Sequence, residues 1–412
     1  MVNTNMNRRD LLALGLGAGM LLPLGRSAWA AAGGSNKKLV VVFLRGAVDG
    51  LNVVVPYAEP AYYSARPTIA VPPPGRAQGA IDLDGHFGMH PSLAALKPLW
   101  QERSLAFVHA AGSPDETRSH FDAQDYMESG TPGRKSTADG WMNRLLAQLP
   151  GPRSATSALS FGPTLPRIMS GPVNVANIPL GRGAGAQIPL DRPIINAAFD
   201  QLYAGDDSLS RAYKEGIESH KKVMTDLQAE MVEADNGAPS AQGFSQDTEH
   251  LAKLVAQNSA IDLAFFALGG WDTHVNQGAG EGQLAQKLQP LAEGLAGLVK
   301  GLGSSYRDTV ILVVSEFGRT FHENGNRGTD HGHGNVMWVL GGPIAGGKVY
   351  GDWPGLVGGE LHEGRDLAVT TDFRSVVATV LGGHMKLDTG QIGTVMPGAP
   401  AVTSNVSSII NT

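Results

Sequence analysis

The chain of 412 residues contains no cysteine. That excludes structural disulfides, thiolate metal sites and cysteine nucleophiles, so any metal must be held by nitrogen and oxygen. Aromatic residues are only 6% and charged residues 17%, against 42% hydrophobic ones, the balance of a globular protein and not of a disordered one. Basic runs are missing too. The formal net charge is −6, and the first thirty residues hold three arginines against one aspartate, which leaves −8 for the rest. An acidic chain without a basic stripe argues against nucleic acid as a partner. Beyond residue 24, no apolar run approaches the roughly twenty residues a membrane span needs, so no stable span is expected once a leader is removed.

What is present begins with that leader. Arg8–Arg9 precede the apolar, Gly-rich stretch Leu11–Leu24, and Ala28-Trp29-Ala30 offers a small-x-small cleavage site. The paired arginines and mild hydrophobicity predict a twin-arginine signal over 1–30, with the twin-arginine export machinery as a partner and a periplasmic or extracellular destination. Asn7 stands where that signal prefers Ser or Thr.

Strands and helices alternate through the remainder. Lys38–Leu44 reads as a first buried strand, Asn52–Val55 as a second, and Ser104–Ala110, Ile261–Leu268, Thr309–Val314, Val336–Leu340 and Ala368–Thr370 as others. Helices are expected from about Ser119 to Ser129, over Trp141–Leu149, over Gly282–Leu302 and over Asp372–Leu381. Residues 194–258, with a long amphipathic pattern over Leu209–Ala234, read as a helical insertion.

Three of those strands border clusters of metal-ligand side chains. Ile261–Leu268 runs into Gly-Gly-Trp-Asp-Thr-His, ending in Asp272 and His274. Thr309–Val314 runs into Ser-Glu-Phe-Gly-Arg-Thr, with Glu316 and Arg319. Thr329-Asp330-His331-Gly332-His333-Gly334 precedes Val336–Leu340. Open α/β sheets bind ligands at the carboxyl ends of their strands, and carboxylate with imidazole there suits a divalent metal, zinc or manganese. Asp272 and His274, two apart on extended chain, share a face. Glu316 at the lip of a buried strand needs a partner or an ion. Arg319 is either its salt-bridge partner or a fork for a substrate oxyanion. Asp49, at the end of the first strand, is a further ligand candidate, assisted by Asn52. Ser119, three residues before Asp122, reads equally as a helix cap and as a nucleophile at a helix N-terminus. His120 reads as a ligand or general acid/base. His86 and His90 are weaker candidates, structural or at a cleft rim.

Leu-Arg-Gly-Ala-Val-Asp-Gly at 44–50, Ser-His-Phe-Asp-Ala-Gln at 119–124, Gly-Trp-Asp-Thr-His at 270–274, Ser-Glu-Phe-Gly-Arg-Thr at 315–320 and Asp-His-Gly-His-Gly at 330–334, with the leader, resemble the bacterial family called domain of unknown function 1501. That family is placed in the alkaline phosphatase and sulfatase superfamily. The resemblance implies an α/β, alkaline phosphatase-like three-layer sandwich over 38–400, its mostly parallel central sheet flanked by helices on both faces. It implies metal ligands Asp49, Asp272, His274 and His331 or His333, with Ser119 at the nucleophile position. Glu316 stands in place of an aspartate and Phe317 in place of a common histidine, so the number of ions is open. No Ser-x-Pro-x-Arg sulfatase motif is present.

The expected function is an exported metal-dependent hydrolase of a phosphate- or sulfate-type ester, its substrate a small molecule or a glycan. The ion would be held by Asp49, Asp272, His274, Glu316, His331 and His333, with Ser119, His120 and Arg319 (or Arg118) doing chemistry. The alternative is a non-catalytic metal-binding periplasmic binding or assembly protein of the same fold. A third reading, carbohydrate ester hydrolysis through activated water, needs no Ser119.

Overall fold

Strand β1, Lys38–Leu44, is buried along its whole length, which is why it can carry an unbroken apolar run instead of an alternating one. Val40, Val42 and Leu44 face one hydrophobic cluster; Leu39, Val41 and Phe43 face another. The structure, a computed structural model, describes residues 37–135, 137–151, 153–178, 231–257 and 260–411. The leader read over 1–30 lies outside the described residues, as does 194–230 of the expected insertion. From that insertion, 231–234 is helical and a helix covers Phe244–Gln257.

Among the described residues a sheet of nine strands runs through the centre. Its members are β1, β5 (Leu105–Gly112), β6 (Ala158–Phe161), β7 (Ala176–Ile178), β8 (Leu263–Leu268), β9 (Thr309–Ser315), β10 (Asn335–Gly341), β11 (Lys348–Tyr350) and β12 (Thr371–Asp372). The order is β11-β5-β10-β9-β1-β8-β6-β7, with β12 also on β5. All pairings are parallel except those of β10, which runs antiparallel to β5 and β9. A small antiparallel sheet joins β2 (Val54–Val55), β3 (Ile81–Asp82) and β4 (Gly88–Met89).

Helices α3 (Phe244–Gln257) and α4 (Gln283–Leu302) cover one face through Phe244, Leu251, Leu284, Leu288, Leu291 and Leu295. Helices α1 (His120–Ser129), α2 (Trp141–Gln148), α5 (Phe373–Gly383) and α6 (Thr389–Val395) cover the other through Met127, Trp141, Leu145, Val376 and Val395. Each such side chain withdrawn from water contributes about 1.5–3 kcal/mol. The expected three-layer arrangement with a mostly parallel sheet is therefore what the chain adopts.

Two short elements differ from expectation. Asn52 and Val53 belong to a helical turn, Gly50–Val53, because the Asn52 side chain is bonded to the Ile69 carbonyl and to Arg66 instead of lying along a ladder. The last strand is Thr371–Asp372, directly before the Asp372 cap of α5, and not 368–370.

The register decides where function can sit. Leu44 pairs with both Leu268 and Ser315, so β1, β8 and β9 end level with one another. Antiparallel β10 begins at that same edge, where Asn335 pairs with Ala111 near the end of β5. Gly46, at a φ of +111°, turns the chain beyond β1; a Cβ there would lie 2.6 Å from the Asp272 nitrogen.

Candidate metal centre

Four side chains converge at this edge. His120 lies in the first turn of α1, Asp272 and His274 follow β8, and His331 precedes β10. The His331 Nε2 lies 2.9 Å from the Nε2 of His120 and 3.1 Å from that of His274. Asp272 Oδ1 is 3.0 Å from His274 Nε2 and 3.6 Å from His331 Nε2, and its Oδ2 is 3.6 Å from His120 Nε2. Asp272 is fully buried, and His120 and His274 nearly so.

The far side of each imidazole is fixed by an oxygen that can only accept. His120 Nδ1 meets Glu316 Oε1 at 2.8 Å, His274 Nδ1 meets Asp330 Oδ1 at 3.2 Å, and His331 Nδ1 meets the Arg118 carbonyl at 2.8 Å. Each Nδ1 therefore carries the proton and, in the neutral ring, each Nε2 carries the lone pair. Three lone pairs aimed at one another are held together only by protons or by a cation. An acceptor behind each ring is the usual support of a histidine that binds metal.

Charge follows the same geometry. Burial works against ionisation of Asp272, but Arg319 and the neighbouring His120, His274 and His331 hold its carboxyl well below the usual carboxylate range. Burial also opposes a charge on His120, yet Asp272 and Glu316 push its pKa up to about 9. His274 is raised against its burial by Asp272 and Asp330. His331 is lowered, by burial first and then by Arg319 and His120 despite its bond to Asp272. The hydrogen bond from His274 draws Asp330 down to about 2.

The expected site residues divide accordingly. Asp272, His274 and His331 come together, and His120 joins them. Glu316 does not face this point: Oε1 accepts from the Gly46 amide at 2.8 Å, from His120 and from Gln124 at 3.0 Å, and Oε2 accepts from the Ser315 hydroxyl at 3.0 Å. It holds the His120 ring and does not face the point where the four side chains meet. Asp49 is likewise engaged elsewhere. Its carboxylate is spanned by the Arg66 guanidinium and accepts from Gln277 Nε2 at 2.6 Å, all buried. His333 stands apart, its ring 4.4 Å from that of His362, with burial and the neighbouring His362 and Arg118 lowering its pKa to about 4.

Arg319 faces neither a substrate nor Glu316. It is buried, paired with Asp272 and bonded to the hydroxyl and carbonyl of Thr329. The exposed Ser119 caps α1, its hydroxyl accepting from the Asp122 amide at 3.4 Å. His90 caps the turn at 91–96 and bonds the Ala279 carbonyl, a structural role; His86 lies at the surface beside Glu59.

Sequence reasoning passed over Arg66 and Gln277. The Gln277 Oε1 accepts from Thr273 Oγ1 at 2.6 Å and from Thr329 Oγ1 at 3.0 Å. One polar chain thus runs from Asp49 through Gln277 and Thr329 to Arg319 and Asp272. The signal was an uncharged Gln five residues after Asp272, which no spacing rule marks.

Whether these residues fit a metal is answered by the orphaned atom among them. Asp272 Oδ2, fully buried, has no hydrogen-bond partner among the described residues. His120 Nε2 lies nearest that oxygen and His274 and His331 Nε2 nearest the other, so the carboxylate and three imidazole nitrogens offer an N3O donor set, which suits zinc.

Residues 36–396 match the family model described as "Protein of unknown function (DUF1501)". No curated protein matches the chain. Among solved structures, it is similar to Ps i-CgsB in complex with k-i-k-neocarrahexaose, at 11% identity over 86% of this chain and 73% of that one, with a TM-score of 0.41. It is also similar to the lipoteichoic acid synthase LtaP from Listeria monocytogenes, at 9% identity, 92% and 77% coverage and a TM-score of 0.41. A third is a protein in the alkaline phosphatase superfamily from Vibrio parahaemolyticus, at 9% identity, 77% and 64% coverage and a TM-score of 0.39.

Proposed function

The chain belongs to the DUF1501 family, and from that premise we propose that it is an exported metal-dependent hydrolase of a phosphate- or sulfate-type ester with an alkaline phosphatase-like fold. The observation that carries this reading is the convergence of three Nδ1-anchored imidazoles on the buried Asp272 carboxylate, whose Oδ2 has no hydrogen-bond partner among the described residues. His120, Asp272, His274 and His331 would hold the ion, with zinc the metal their chemistry favours. When bound, such an ion supplies Lewis acidity and lowers the pKa of a coordinated water.

The chain's own residues do the rest. Arg319 fixes Asp272, and Glu316 fixes the tautomer and direction of His120. Arg118 and Arg365 flank His331 and are partly exposed, one giving its carbonyl to the ring and the other a guanidinium to the backbone. Both are ion-paired, Arg118 with Glu363 and Asp366 and Arg365 with Asp366, so an incoming ester oxyanion would have to compete with those carboxylates for them. Ser119 stays in its cap, so the attacking oxygen comes from water. Export rests on the 1–30 leader.

The test is zinc loading of the purified full chain, elemental analysis, and turnover on a panel of aryl phosphates and aryl sulfates. The expected result is stoichiometric zinc and hydrolysis of at least one ester, both lost in Asp272→Ala. Zinc bound without turnover on any ester would overturn the hydrolase and leave a metal-binding protein; no zinc in the wild type would overturn the centre itself.

A further inference from the structure

Beside the metal centre lies a cavity of about 250 Å³ that the proposed chemistry leaves unused. It opens at the carboxyl ends of β1, β6 and β8, the edge at which open α/β sheets take their ligands. One helical face of α1 forms a wall: Phe121, Gln124, Asp125 and Glu128 follow the three-and-four spacing of a single stripe. His120, one residue before that stripe, points to the metal centre. The two places share Gln124, whose amide donates to Glu316 at 3.0 Å, which in turn holds His120.

Three properties of the lining define what fits. Its charges are cancelled in pairs, Arg45 with Glu128 and Arg167 with Asp125, so it offers no spare charge to an ion. Its rim is apolar and wet: Phe121 is 77% exposed and Leu165 38%. Its Arg45 side chain, only 4% exposed, has an Nε–H with no hydrogen-bond partner among the described residues. That nitrogen is one of eleven buried side-chain atoms left unmet among the described residues, and the one donor of these on the cavity's lining, so an acceptor brought by a ligand would satisfy it. The volume is below the roughly 300–1,000 Å³ of a pocket that swallows a whole ligand. It suits one ring.

We propose that this cavity is a specificity subsite for a neutral, polyhydroxylated ring, a sugar unit in the alcohol part of the ester. A ring face would lie on Phe121, and a ring or hydroxyl oxygen would accept from Arg45 Nε–H. The assignment of the sugar to an ester rests on the hydrolase reading; the binding itself does not.

Saturation-transfer NMR and titration with methyl glycosides of glucose, galactose and N-acetylglucosamine test it, on metal-free and zinc-loaded full chain. Phe121→Ala removes an exposed ring, and Arg45→Lys keeps a cation for Glu128 while deleting the Nε–H. Thermal melts and zinc content verify that both variants remain folded and metal-competent. At least one glycoside should bind with or without zinc and weaken about tenfold or more in each variant. Binding of none of the three, or binding unchanged in both variants, would overturn the subsite. So would full displacement of the glycoside by millimolar inorganic sulfate, which marks an anion site. Zinc binding and ester turnover read out separately, so failure here leaves the metal centre standing.

Discussion

Glu316→Gln separates a metal ligand from a residue that aims one. In the native chain Oε1 accepts from the Gly46 amide, His120 Nδ1 and Gln124, so Glu316 is spent on holding the ring. The amide keeps the size and an acceptor but deletes the charge. Removing the partner behind a ligating histidine costs about 10–100-fold in metal affinity, which is about 1.4–2.7 kcal/mol. The pH profile sharpens the test. With its pKa raised to about 9 by Asp272 and Glu316 against its burial, His120 carries a proton that a metal must displace. Wild-type zinc affinity should therefore climb about tenfold or more per pH unit up to about 9. In Glu316→Gln the ring's pKa falls toward its ordinary value, so its plateau arrives nearer pH 7. The wild-type advantage should be greatest at about pH 9 and above and shrink about tenfold per unit as the pH falls, so that the two curves meet or cross between about pH 8 and 7. Competition titration against a chelating dye across that range measures both. Loss of all binding at every pH would make Glu316 a ligand after all. Parallel curves would refute the claim that it sets the ionisation of His120.

Ser119→Ala should cost about 0.5–2 kcal/mol of stability through the lost cap and leave ester turnover unchanged; a hundredfold fall in kcat would restore Ser119 as a nucleophile. Arg66→Met strands the buried Asp49 carboxylate and should lower stability to urea by about 3–5 kcal/mol, much of it recovered by adding Asp49→Asn. A loss below about 1 kcal/mol would show that breaking the buried Asp49–Arg66 pair leaves no costly unpaired charge. Burial pushes His109 down to about 4 against its bond to the Val54 carbonyl. Its neutral ring therefore contributes stability that is fully present above about pH 6.5 and is lost as the pH falls toward 4. That is about 3 kcal/mol; an imidazole NMR titration showing protonation of His109 above pH 6 in the folded chain would contradict it.

The strands and their edge were legible because burial on both faces writes an unbroken β-branched run, as in Lys38–Leu44 and Thr309–Ser315. Asp272 and His274 were legible because extended chain puts residues two apart on one side. Which carboxylate would face the ion was not. Glu316 and Asp49 are strand-end acids of equal promise in the sequence, and three-dimensional partners divide their fates. Glu316 meets a ring 196 positions away, and Asp49 meets Arg66 and Gln277, 17 and 228 positions away. The same holds for Arg319, one turn from Glu316 in sequence but delivered by its buried path to Asp272. His333 shows the converse: a His-x-His pair on an irregular loop sends its two rings to different neighbours.

The ligands of the proposed centre lie far apart along the chain: 152 residues separate His120 from Asp272, and 57 separate His274 from His331. Before the sheet exists, the chain offers an ion no more than the adjacent Asp272 and His274. An ion seated among all four would act as a rivet across three separate crossings of the chain. It could be fitted only after the start of α1, the end of β8 and the start of β10 had come together, and once fitted would have to leave before they could part. Loading would then report completed folding, and chelation would speed unfolding of the whole sheet, not only silence one site.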